Sequence, residues 1–207
     1  MPKLRICLGL ICVCLTLGCS PRDFLTRRLA AALIAGSETF KAPQQFWLRT
    51  GVVTARDYSS PEYLVLQHHG WITGVNVPCT PAPAKTGAGA SAPACWDVAL
   101  TPLGVDAFRD LLPNNAPPSQ YFGVPVARRE LLGISGIAKD GNIAEVDFTW
   151  KWTPMNEIGA ALFAAGVKYN SAVAFKHYDD GWQVGEGYLP PRGLTLDDAL
   201  KNAQPVQ

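Results

Sequence analysis

The chain reads as an α+β protein: a helix-rich half with a two-stranded, disulfide-closed wing, then an antiparallel sheet carrying one packed helix in the order β-β-α-β-β. Three observations predict this. Val146, Phe148, Trp150 and Trp152 alternate with Glu145, Asp147, Thr149 and Lys151, the period of two expected of a strand covered on one face. Ser60-Pro61, Thr101-Pro102 and Thr153-Pro154 each set a hydroxyl cap before a proline at the first helical position. Cys79 and Cys95 enclose TPAPAKTGAGASAPA, a segment too poor in large apolar residues to build structure of its own.

Residues 1–20 come first. Lys3 and Arg5 precede Ile6–Leu17, an uncharged apolar run of 12 residues. A signal-peptide core takes about 7–15 residues and a membrane-spanning helix about 20. Small Gly18 stands before Cys19, and Pro21 and Arg22 end the run. This arrangement resembles a bacterial lipoprotein signal, with Thr16 where such signals prefer leucine three places before the cysteine. The resemblance implies that Cys19 is lipidated, becomes the first mature residue and holds the protein to a membrane. Ordinary secretion with cleavage after Ser20 is the competing reading. Ser20 is the residue type carried by outer-membrane lipoproteins, so the resemblance implies the outer membrane, facing the periplasm. Each buried CH₂ of an attached chain adds about 0.8 kcal/mol of membrane affinity.

The expected organisation is a signal peptide at 1–18, a helix-rich half at 19–112, a linker at 113–120 (including PNNAPP), an antiparallel half at 121–190 and a short helix with a tail at 191–207. A helix capped by Ser20-Pro21 carries Leu25, Leu29, Ala32 and Leu33 on one face and stops at Gly36. Phe46–Ala55 is a strand. A helix runs from Pro61 to about His69 and ends at Gly70. Trp71–Val77 and Trp96–Leu100 are strands flanking the cysteine-closed segment, and Thr101-Pro102 opens LGVDAFRDLL. Val124–Lys139 is extended, with Pro125 an interruption, and Lys139-Asp140-Gly141-Asn142 is a hairpin turn. Thr153-Pro154 opens MNEIGAALFAAG. Tyr169–Tyr178 and Trp182–Val184 are strands joined at Asp179-Asp180-Gly181, and Thr195 caps LDDALKNA.

YLVLQHHGWITG, the two flanking strands and Leu100-Thr101-Pro102-Leu103-Gly104 resemble a winged-helix domain over residues 60–112. The helix that would enter a DNA groove, Glu62–His69, has no Lys or Arg, and the wing carries only Lys85. Phosphate contacts dominate affinity for DNA, so no nucleic-acid partner is expected. Charge agrees. The chain holds 18 basic and 17 acidic residues, and residues 1–18 remove two basic ones and no acidic ones, leaving a net charge of −1.

Cys7, Cys12 and Cys14 lie in the signal and Cys19 is consumed by lipid, which leaves Cys79 and Cys95. That is the count for one disulfide in an oxidising compartment. Two free thiols or a metal pair are the alternatives, and a metal would call for further ligands nearby.

No catalytic, cofactor or metal set emerges. His68 and His69 point about 100° apart on a helix, and His177 sits in a strand beside Asp179 and Asp180. Glu145 and Asp147 share a face that Thr149 and Lys151 continue as a solvated stripe. Gly133-Ile134-Ser135-Gly136-Ile137 lacks the second glycine of a nucleophile elbow. Phe148, Trp150 and Trp152 form an aromatic face, expected as core beneath the 153–166 helix and, where left open, as a binding surface. The expected function is a membrane-anchored, non-catalytic envelope module for binding or assembly with an envelope protein partner. Alternatives are an envelope hydrolase using carboxylates or His177, and a winged-helix regulator.

Overall fold

The computed structural model describes residues 24–79, 94–112, 121–163, 166–185 and 193–206. In chain order the elements begin with α1 (Arg27–Gly36), α2 (Glu38–Lys41), β1 (Gln44–Arg49), β2 (Gly51–Thr54), α3 (Ala55–Tyr58), α4 (Pro61–His68), β3 (Ile72–Pro78), β4 (Ala94–Leu100) and α5 (Pro102–Phe108). They continue with β5 (Tyr121–Asp140), β6 (Ile143–Pro154), α6 (Glu157–Leu162), β7 (Lys168–Tyr178), β8 (Gly181–Val184), α7 (Leu196–Lys201) and β9 (Gln204–Val206). The fold is mixed α and β with largely antiparallel strands, as the alternation and turn signals predict. No helix among the described residues is long and apolar enough to cross a membrane.

The chain forms two compact units, interleaved in sequence. The first takes residues up to Lys41, then Leu131–Trp150 and Tyr169–Gln207; the second takes Ala42–Glu130 and Lys151–Lys168. Residues 113–120, expected as a linker, lie outside the described residues.

In the first unit the β5–β6 hairpin turns at Gly141, whose φ of 60° suits glycine. Ala144, Val146, Phe148 and Trp150 of β6 are buried while Glu145 and Asp147 are exposed, so the alternation reads as expected. β6 lies between β5 and β7, β7 pairs antiparallel with β8, and β9 also joins β7. The tail expected after the last helix thus ends in a short strand. α1 starts later than expected, because Thr26 is the cap: its Oγ1 accepts the Leu29 N–H at 3.1 Å. Its buried residues are Ala30 and Ile34, with Ala32 exposed, which rotates the apolar face from the one anticipated. Phe40 of α2 meets Phe148 edge-on, with centroids 6.5 Å apart.

In the second unit the expected single strand Phe46–Ala55 is two strands. Gly51, at φ 78°, redirects the chain, so β1 pairs with β5 and β2 pairs with β4. The expected two-stranded wing is therefore part of a three-stranded sheet in the order β2-β4-β3. Cys79 and Cys95 are disulfide-bonded, with Cα atoms 5.1 Å apart. Ser60 and Thr101 cap α4 and α5 as anticipated, and in the first unit Thr195 caps α7.

α6 is shorter than expected and begins later. β6 runs on through Thr153-Pro154, and Asn156 is the cap, accepting from Gly159 N–H at 2.9 Å and donating to Pro125 C=O at 2.7 Å. A Cβ at Gly159 would lie 1.8 Å from Val126 O, so only glycine allows this approach of helix to strand. The core gathers Phe46 and Leu48 of β1, Tyr63 and Leu66 of α4, Phe108 of α5, Phe122 and Val124 of β5, and Ile158 of α6.

Candidate functional site

The second unit carries a cleft of about 420 Å³ along β1, within the range of about 300–1,000 Å³ typical of ligand pockets. Alternation in β1 sets its character. Phe46 and Leu48 point to the core, so Trp47 and Arg49 point out. Opposite Trp47 in the register stands Gly123. A Cβ at Gly123 would come within 3.1 Å of the Trp47 ring; its absence lets the indole lie across the strand. There Trp47 stacks on Tyr121 with centroids 5.5 Å apart and planes 24° from parallel. Trp47 is 53% exposed and Tyr121 62%. Phe46, Val126, Leu162 and Phe163 give the cleft apolar lining, while Arg49, Asp57 and Glu62 supply its charges.

Tyr63 is the buried ionisable group of the cleft. Its hydroxyl accepts the Arg49 N–H at 2.8 Å and donates to the Arg49 C=O at 2.8 Å. Burial pushes the phenol up from its ordinary value, against the pull of the Arg49 backbone hydrogen bond. Donor and acceptor are both spent on the main chain, so Tyr63 fastens the end of β1.

That contact also fixes which way the β1 backbone faces. Arg49 turns its N–H and C=O away from β5, towards Tyr63. Orientation alternates along an antiparallel pair, so Trp47 and Gln45 face the same way, while Phe46 and Leu48 bond to β5. Pro125, paired with Gln45, fits this phase, because it has no N–H to offer β1. A register shift between Gln44 and Gln45 leaves Val126 as the extra residue, and its C=O accepts from Met155 N–H at 2.9 Å. The Gln45 C=O accepts from the Gln44 side chain at 3.3 Å. The Trp47 N–H and C=O meet no partner among the described residues.

The residues singled out from sequence lie elsewhere. Phe148 and Trp150 are 0% and 2% exposed, which corrects the reading of an open binding surface there: they are core of the first unit. Phe40 meets Phe148, and Tyr169 stacks on Trp150 at 4.8 Å. Trp152 is half-buried in the second unit, between the Arg129 guanidinium at 4.7 Å and Phe163 at 5.5 Å. Cys19 lies outside the described residues. His69 stacks on Trp71 at 4.5 Å, and His177 lies 5.0 Å from Trp182, with Asp180 engaged by Gln183 rather than by the imidazole. Ser135 and Asp147 line a second cavity, in the first unit. No group of three or more His, Cys, Asp or Glu suited to a metal ion occurs among the described residues.

Trp47 and Tyr121 escaped the sequence reading, although one signal pointed to Trp47. In Phe46-Trp47-Leu48-Arg49 the tryptophan falls in phase with arginine and out of phase with the core residues. Comparison of the chain with protein-family models, with curated proteins and with solved structures finds no match.

Proposed function

We propose that the protein is an envelope-tethered, non-catalytic binding module that presents the β1 cleft to a ligand. The observation that carries this is the exposed Trp47–Tyr121 stack at a cleft of about 420 Å³. Rigid, half-exposed aromatics beside an apolar floor provide large contact area at low conformational cost, the composition of recognition hot spots. A binding rather than catalytic role is supported by Tyr63, whose hydroxyl is committed on both sides to Arg49. Tethering is supported by the basic start, the apolar run and Gly18-Cys19, with acyl chains on Cys19 holding the mature chain at the membrane among other envelope components, from which its partner would come. The winged-helix likeness of residues 60–112 is read as shared local shape without DNA binding, since α4 bears no Lys or Arg.

The test has two parts. Acyl labelling and detergent-phase partitioning should be positive for the natural chain and lost in Cys19→Ser; an unlabelled, aqueous natural chain overturns the anchor. Capture from envelope extracts should recover a ligand that Trp47→Ala and Tyr121→Ala each hold more weakly. Turnover of a substrate by the natural chain, unaffected by those substitutions, overturns the binding reading.

A further inference from the structure

We infer that the cleft takes an extended peptide segment, which adds as a strand beside β1 and pairs its main chain with Trp47. This rests on reading the cleft as a binding site and names what the site recognises.

The backbone makes the case. An edge strand offers a row of outward N–H and C=O groups that another chain can pair with. Here the row is bounded. Tyr63 closes it at Arg49, and the Gln44 side chain occupies the Gln45 carbonyl. What stays open is the Gln45 N–H and both groups of Trp47, and the cleft runs past these same residues. Four residue steps separate Gln45 from Arg49, about 13 Å at the strand rise of about 3.3 Å, room for a segment of three or four residues. Main-chain pairing gives such a complex its affinity, and alternate side chains give it specificity.

The lining sets that specificity. A side chain directed inward meets Phe46, Val126, Leu162 and Phe163, so the segment carries an apolar residue there. Asp57 and Glu62 against Arg49 leave the cleft one negative charge in surplus, so a lysine or arginine flanks the apolar residue. A sugar ring would also stack on Trp47 and Tyr121, but it would leave the strand-spaced donors and acceptor of β1 unused.

The experiment selects displayed random seven-residue peptides on the full mature protein and titrates the best binder. Methylating its backbone nitrogens one at a time should weaken binding at least tenfold at every second position and little between. The Trp47 amide should become protected from hydrogen exchange in the complex. Trp47→Ala keeps the N–H and Trp47→Pro deletes it, at an edge position where proline is tolerated; the proline variant should bind at least tenfold more weakly than the alanine one. Should Trp47→Pro not fold, the methylation scan on the natural protein decides. Absence of any peptide weakened by Trp47→Ala, or a scan without the period of two, overturns the inference. Peptide-free glycan fragments of the cell wall form a second arm. Glycan binding that Trp47→Ala abolishes, with no peptide recovered, leaves the cleft reading standing and removes the peptide. Cleft substitutions that alter binding of neither probe class remove both.

Discussion

Trp150 in the first unit and Trp47 in the second both stand on strands of alternating burial, yet Trp150 is 2% exposed and Trp47 is 53%. Their surroundings differ in kind. The Trp150 indole N–H donates to the Ser171 hydroxyl at 3.0 Å inside the core, and its ring stacks on Tyr169. Trp47 stacks on an exposed tyrosine, over the strip that Gly123 leaves bare. In β6 the aromatics share the phase of Ala144 and Val146, the buried set. In β1 the tryptophan takes the phase of Arg49. Phase within a strand, rather than aromatic content, separates a residue that builds the fold from one that faces a ligand.

Three substitutions sharpen or break that contrast. Trp150→Ala should cost about 3–5 kcal/mol through the cavity it opens, measured by urea unfolding; a loss under about 1 kcal/mol would remove Trp150 from the core and end the comparison. Tyr63→Phe comes next. It strands the Arg49 N–H and C=O beneath a ring that no longer bonds, a cost of about 1–3 kcal/mol.

Tyr63 also gives a pH signature. Its folded pKa is raised above the ordinary 10.0, so the native protein keeps a proton that the unfolded chain has begun to lose. That contribution is complete below about pH 10 and declines as pH rises through the folded value. The natural protein should lose stability over that alkaline range, and Tyr63→Phe should lose less; parallel curves would contradict this. Smallest is Trp47→Ala, which should shift stability by no more than about 0.5 kcal/mol while weakening ligand capture. A large loss of stability would make Trp47 a structural residue like Trp150.

Local chemistry made much of the fold legible. The Ser60, Thr101 and Thr195 caps, the Gly141 turn and the β6 alternation are each set by neighbouring residues. The cysteine count pointed to one disulfide, and Cys79 and Cys95 form it. What escaped depends on distant partners. Thr50-Gly51 looks like any strand interior until β1 pairs with β5 and β2 with β4. Thr153-Pro154 carries a sound capping signature, but β6 extends through it and the nearby Asn156 takes the cap by reaching Pro125. The cleft was hidden for the same reason: Trp47 and Tyr121 meet through strand register, and no pattern within either segment announces the other.

The bond between Cys79 and Cys95 joins the facing ends of β3 and β4, whose residues Val77 and Cys95 are register partners. The stretch from Thr80 to Ala94 is thus a ring closed by sulfur. A protease cut anywhere inside it would yield fragments that migrate as one species until a reductant is added. New chain ends, or an inserted tag, could be placed there with the strand partners still covalently held in register.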